Sequence, residues 1–285
     1  MNLASRVYLA VHVALTVLLW VRHSQVANWP SYAAWNVAAI VAILLLARKR
    51  DDGAWWEFAC NWLPALFFLT VFEQVSFLAL SLRGAWQNEY LVAWESALFA
   101  VPPAEWLRHY SNPWFSELLE FGYFTFFPLY PVIAGVFWVR RRRPEFAGSF
   151  RHLTDSLSVG YVICYAAYLL FPTRSPAHHA GVESTTLPQS GGPFHLLVRM
   201  VQGHAGVHGN AFPSAHIMLA SVTLVFCLRY LPRFAPWLLI CLVLMGFGAV
   251  YDGYHYALDV LAGGLLGIGV GAAFVGKQAI KSNKG

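Results

Sequence analysis

Charge is scarce in this chain. Asp, Glu, Lys and Arg make up 12% of its 285 residues, against 58% hydrophobic residues, which is about half the charged share of a soluble domain. An ordinary soluble globular protein is excluded on that ground. Cysteine is also sparse, and Cys60, Cys164, Cys227 and Cys241 all sit inside apolar runs. They lack the spacing of a metal site and read as buried free thiols. No small-residue cleavage site follows the first apolar run, so that run is expected to stay as a span rather than leave as a signal peptide. No internal repeat is visible, nor the paired broken helices that mark many transporters.

Hydrophobic runs are abundant. Eight stretches approach or reach the length needed to cross a bilayer: 6–22, 33–47, 58–82, 115–139, 155–171, 214–231, 236–251 and 255–275. Aromatic residues reach 16%, with 12 Trp, which suits many rings at a membrane interface. The expected fold class is all-α, a polytopic membrane bundle of about eight spans.

The net charge of +5 would suit nucleic acid, but its distribution argues otherwise. Arg48 to Arg50, Arg140 to Arg143, Arg229, Arg233, Lys277, Lys281 and Lys284 follow alternate spans, and Arg6 and Arg151 fall on the same side. The other side receives only Arg22, Arg83, Arg108, Arg174 and Arg199. By the positive-inside rule both termini are cytoplasmic, and no nucleic-acid partner is expected. Two connections on the outer side are long. The one at 83–113 carries Trp86, Tyr90, Trp94, Trp106 and Tyr110, and is expected to lie along the interface as short amphipathic helices. The one at 172–211, rich in Gly, Pro, Ser and His, reads as a structureless functional loop.

Two histidine blocks border that same outer side. Phe212-Pro213-Ser214-Ala215-His216 opens the sixth span, where unpaired N–H groups and the positive end of the helix dipole make a phosphate seat. Ser214 is a natural N-cap or oxyanion donor there. His255-Tyr256-Ala257-Leu258-Asp259 opens the eighth span. Four residues apart on a helix, Asp259 can take the imidazole N–H of His255 and fix its tautomer. A carboxylate at membrane depth is costly without such a partner. Pro-Ser-x-His alone is a weak signal, and an isolated His-x3-Asp pair is commonly structural. Their joint placement at the outer ends of neighbouring late spans points to a site. Glu73 and Gln74 form a further buried polar pair, and Gly263, Gly264, Gly267, Gly269 and Gly271 read as close helix packing.

These motifs resemble the type 2 phosphatidic acid phosphatase superfamily. Pro213-Ser214-Ala215-His216 is similar to its Pro-Ser-Gly-His motif, His255 and Asp259 to its His-x3-Asp, and Arg174-Ser175-Pro176 loosely to its Arg-Pro. Phe171-Pro172-Thr173, the Phe-Pro-Ser-x-His block and the His255–Val260 stretch look like the inositol phosphorylceramide synthase and sphingomyelin synthase branch. The resemblance spans roughly 160–275. It implies a six-helix catalytic core at 55–285 and an added hairpin at 1–54. It also implies that His255 attacks phosphorus, that Asp259 orients it, and that His216 moves the proton. Ser214, Ala215 and Arg174 would hold the phosphoryl oxygens, and no metal or other cofactor is needed.

Two cations of that pattern are missing, because Ala167 stands at the family's Lys and Gly248-Ala249 at its Ser-Arg. A phosphomonoester carries nearly two charges and a diester one, so fewer cations favour a diester. The expected function is head-group transfer from a phosphodiester lipid to a lipid or polyol acceptor, with hydrolysis of a lipid phosphate as the alternative. A transporter and an inert scaffold are the competing readings. Arg199, His178, His179, His204 and His208 are candidates to replace the missing cations. The four loop histidines also allow a metal reading, which the absence of flanking carboxylate or cysteine ligands disfavours.

Overall fold

A computed structural model of the chain describes residues 1–48, 53–179, 191–205 and 209–282, and at 64–66, 69, 202–205 and 277–282 the backbone alone. Most of the described residues are helical, and none of the described residues is in a strand. In chain order the helices are α1 (Leu3–Val21), α2 (Trp29–Arg48), α3 (Ala54–Arg83), α4 (Asn88–Leu98), α5 (Pro103–His109), α6 (Pro113–Phe124), α7 (Phe126–Arg140), α8 (Ser149–Leu170), α9 (Pro176–His179), α10 (Pro193–Ala205), α11 (Ala215–Tyr230), α12 (Ala235–Tyr251) and α13 (Ala257–Ser282). Each of the eight apolar runs lies, to within two residues at its ends, inside one of these helices or a consecutive pair. Five segments are long and apolar enough to cross a membrane: α1, α2, Pro113–Arg140, Pro144–Leu170 and Ala257–Gly276. Helices α11 and α12 are apolar but shorter.

Local chemistry sets the boundaries. Asn2 caps α1 by accepting the Ser5 N–H at 2.8 Å. Gly84, at φ 74°, ends α3 in the left-handed conformation. Asn112 caps α6 with Pro113 at its first position. The fourth run is broken at Thr125 into α6 and α7, where Pro128 has no N–H to return to the Phe124 carbonyl.

At the bundle's centre, α11 and α8 are buried along most of their length. Helix α13 packs on α11 with Gly263, Gly267 and Gly271 against Ser214, Met218 and Val225. The expected glycine face is therefore narrower than the sequence series, since Gly269 meets nothing and Gly264 makes only ordinary contact. The N-terminal hairpin of α1 and α2 is bonded to α3 through His12, Asn36 and Gln74. His12 Nδ1 lies 2.8 Å from Asn36 Oδ1, and the Asn36 amide donates to Gln74 at 2.8 Å. Gln74 is buried as expected, but Glu73 is exposed and meets Tyr32 instead, so the two are not a buried pair. Adjacent helical residues face different directions. Of the cysteines, none of which is in a disulfide among the described residues, Cys60, Cys164 and Cys227 are buried and Cys241 is half-buried.

The two long connections differ from one another. The first folds into α4 and α5, as expected. The second is not structureless, because α10 occupies 193–205. Glu117 of α6 accepts the Phe194 N–H at 2.6 Å, and His195 bonds Glu120 at 2.8 Å. Partners on another helix supply these anchors, which local sequence does not reveal. Ionic contacts between Arg141 and Glu57 (3.3 Å) and the bond from the Ala4 N–H to Asp155 (2.8 Å) gather the starts of α1, α3 and α8 and the end of α7 at one end of the bundle. Both histidine blocks lie at the other.

Candidate active site

Four segments meet at that second end. The turn after α12 is closed by the N–H groups of Tyr254 and His255, which both donate to the Ala249 carbonyl (3.0 and 2.9 Å). This aims His255 back over the start of α11. Asp259 lies in the first turn of α13 and is fully buried. Its Oδ2 accepts from Tyr256 N–H at 2.8 Å and lies 3.3 Å from His255 Nδ1. The carboxylate thus occupies Nδ1 and leaves Nε2 as the outward nitrogen of His255.

The cis Phe212–Pro213 bond leads into α11. Ser214 caps that helix, its Oγ accepting the Ile217 N–H at 3.4 Å, and its own N–H donates to the Asp259 carbonyl at 3.0 Å. Two N–H groups at this helix start are therefore engaged within the protein. The Ser214 hydroxyl keeps its own hydrogen to offer. His216 follows in the first turn, against the rings of Phe126 (4.3 Å) and Tyr123 (5.6 Å). Its ring centroid is 5.7 Å from that of His255. Its Nδ1 is buried without a hydrogen-bond partner among the described residues. The structure thus brings together His216, His255, Asp259, Ser214 and Ala215.

Arg174 is held through both its side chain and its backbone. Its guanidinium stacks over Trp86 at 4.8 Å, and its Nε is buried without a partner among the described residues. Its backbone is held by Asn88, which accepts the Arg174 N–H (2.9 Å) and donates to its carbonyl (2.7 Å). The same Asn88 amide reaches the Tyr256 hydroxyl at 3.0 Å. Asn88 therefore links the Arg174 segment to the residue beside His255. Of the expected cation substitutes, His178 bonds Ser175 at 2.7 Å. Arg199 acts on Asp252. Burial, reinforced by Glu120, pushes the Asp252 carboxyl well above the usual carboxylate range, with Arg108 and Arg199 pulling the other way. His208 and the side chain of His204 lie outside the described residues. Among the described residues no group of three or more His, Cys, Asp or Glu side chains is arranged to hold a metal.

The first outer connection adds residues that motif reading missed. Arg108 of α5 donates from Nε to the Tyr251 carbonyl at 3.0 Å. With His255, Glu95 and Tyr256 it lines a cavity of about 190 Å³. Glu95 of α4 accepts the N–H groups of Ala257 (2.5 Å) and Leu258 (3.3 Å), capping the helix that carries Asp259. The available signal was charge, since Glu95 and Arg108 stand among few ionic residues in an aromatic stretch.

Comparison with known proteins follows this geometry. No curated protein matches the chain. A solved structure, that of LpxE from Aquifex aeolicus, is 18% identical with a TM-score of 0.45, covering 60% of this chain and 92% of its own. Residues 89–273 match the family described as the PAP2 superfamily. That match takes in both histidine blocks and well over half of the sequence, and the chain is an integral membrane protein that belongs to the PAP2 superfamily.

Proposed function

We propose that the chain is a membrane phosphotransferase that takes the phosphoryl-bearing head group of a phosphodiester lipid onto His255 and passes it to a hydroxyl acceptor. The observation that carries this reading is the pair of rings 5.7 Å apart, one of them backed by a buried carboxylate. Nε2 of His255 attacks phosphorus while the P–O bond to the diacylglycerol oxygen breaks, and His216 gives that oxygen a proton. Asp259 stabilises the charge that grows on the His255 ring. His216 then takes the proton of the acceptor hydroxyl, which attacks phosphorus and releases His255 by breaking the P–N bond. Ser214 and Arg174 hold the phosphoryl oxygens.

Hydrolysis of a lipid phosphate is the second reading, with water as acceptor. Arg108 favours it, because it sets a cation in the His255 cavity of a chain that lacks the family's Lys and Arg. By the distribution of basic residues the site faces the extracytoplasmic side and both termini are cytoplasmic. The α1–α2 hairpin is an addition to a catalytic core formed by the remaining helices. Purified protein offered intact phospholipid and an acceptor, with products read by mass spectrometry, tests the proposal. Diacylglycerol with the transferred head group supports transfer, and inorganic phosphate from phosphatidic acid supports hydrolysis. Neither product, or equal turnover by His255→Ala, would sink both.

A further inference from the structure

Beside the small cavity at His255 lies a much larger groove of about 980 Å³. Its walls are α12 and α13, α11 forms its floor, and the α4–α5 link with Phe99 and Trp106 forms its roof. Its lining is apolar apart from Ser221. Val250 and Ala257 line both spaces, so the groove and the His255 cavity adjoin across these two residues. Two wall positions are glycines, Gly246 on α12 and Gly264 on α13, and a Cβ at Gly264 would find nothing closer than 3.7 Å. The absent side chains keep the channel open.

Resting on the phosphotransferase reading, we propose that this groove holds the hydrocarbon chain of the lipid whose phosphorus sits beside His255. The lipid would enter sideways between α12 and α13. The shared wall with the His255 cavity argues for this occupant over a protein partner. So does length. From Ala257 to Ile268 the groove follows α13 over twelve residues, about 16 Å at about 1.5 Å of rise between neighbours. That is close to half of the roughly 30 Å hydrocarbon core, the depth of one leaflet. A bilayer lipid lying with its head group at His255 therefore has its chain beside the groove along its whole length. The outer surface offers bulk lipid no such roof.

Gly264→Phe fills the groove from its α13 wall, and Leu261→Trp, changed at a half-exposed lip, narrows the entrance without touching the core. Ile163→Phe, on the exposed face of α8 away from the groove, is the control. Native mass spectrometry of protein reconstituted with dioleoyl phosphatidylcholine is expected to show one lipid retained by wild type and by Ile163→Phe, and its loss from both groove variants. In parallel, kcat/KM for the dioleoyl lipid is expected to fall about 10-fold or more in both groove variants, because misplacing phosphorus by about 1 Å costs on that order or beyond. Turnover of a water-soluble dibutyryl analogue is expected to persist. Retention and long-chain turnover equal to wild type in Leu261→Trp would overturn the groove while leaving the phosphotransferase reading intact. Selective lipid loss in the groove variants with no turnover by any protein would do the reverse.

Discussion

Ser214 donates its backbone N–H to the carbonyl of Asp259 at 3.0 Å, so the first turn of α11 is bonded directly to the first turn of α13. The contact needs the backbones to approach closely, and Gly263 allows it. A Cβ there would run into the Ser214 carbonyl, a backbone group that cannot rotate away. Gly263→Ala is expected to push the helix starts apart and separate His216 from His255. Because a misplacement of about 1 Å costs on the order of 100-fold, kcat should fall by at least that much, measured as initial rate on purified protein. Gly264→Ala, whose Cβ meets only ordinary contact, should stay within about 2-fold, since neutral sites cost about 0.5 kcal/mol or less.

The second prediction concerns the Asp259 carboxylate, which serves His255 Nδ1 and the Tyr256 N–H at once. In Asp259→Asn the amide can still accept from Tyr256 by presenting its oxygen. It can no longer stabilise a cationic ring, and a flipped amide would hold His255 in the wrong tautomer. The rate is expected to fall on the order of 1,000-fold or more. His255→Ala should abolish turnover and the acid-labile phosphoenzyme together. Phosphoenzyme trapped on His255→Ala would mean that another residue is the nucleophile.

Much of this was legible in the chain itself. Apolar runs located the helices because a membrane span must satisfy its backbone locally and face lipid. Pro213-Ser214 announced the α11 cap, since capping is chemistry within three residues. Ring proximity of His216 and His255 followed from their common end of the bundle. Unread were the effects of tertiary docking. Sequence offers no reason for Glu95 to cap a helix 162 positions away, or for Asn88 to bridge Arg174 and Tyr256. Helix α10 was missed because its anchors, Glu117 and Glu120, belong to α6. Glu73 was misread because an apolar run does not say which of its faces meets a neighbour.

Glu95 yields a pH prediction. Burial raises its pKa above the ordinary glutamate range, while the bonds from Leu258 and Ala257 pull it down. The net shift is upward, so its contribution to folding is complete below the unfolded-state pKa and is lost as pH rises through the folded one. Glu95→Gln keeps an oxygen for the α13 cap and removes the titration. The Tm of the Gln variant minus that of wild type should therefore increase as pH climbs from the ordinary glutamate range through the raised value. Glu95→Ala loses the cap and should be less stable by about 1 kcal/mol, at every pH. A Tm difference between Gln variant and wild type that is flat with pH would count against Glu95 as the titrating group.

Arg108 bears on transfer against hydrolysis. It stands in the His255 cavity, fixed by its bond to the Tyr251 carbonyl, whose own side chain is tied to Ser111 (2.7 Å) and Ser116 (2.5 Å). Burial lowers its pKa only from a very high starting value, with Asp252 opposing the shift, so it stays charged in the working range. A cation held there interacts with each negative charge on the phosphorus group, and a monoester brings one more than a diester. Arg108→Gln should therefore cost monoester turnover more than diester turnover. At an effective dielectric near about 20, one further charge at several ångströms is worth on the order of 1 kcal/mol or more, or about 10-fold in the ratio of the two kcat/KM values. Competition between phosphatidic acid and phosphatidylcholine in one micelle gives that ratio directly. An unchanged ratio would place Arg108 in a structural role and leave the diester reading without a cationic rival.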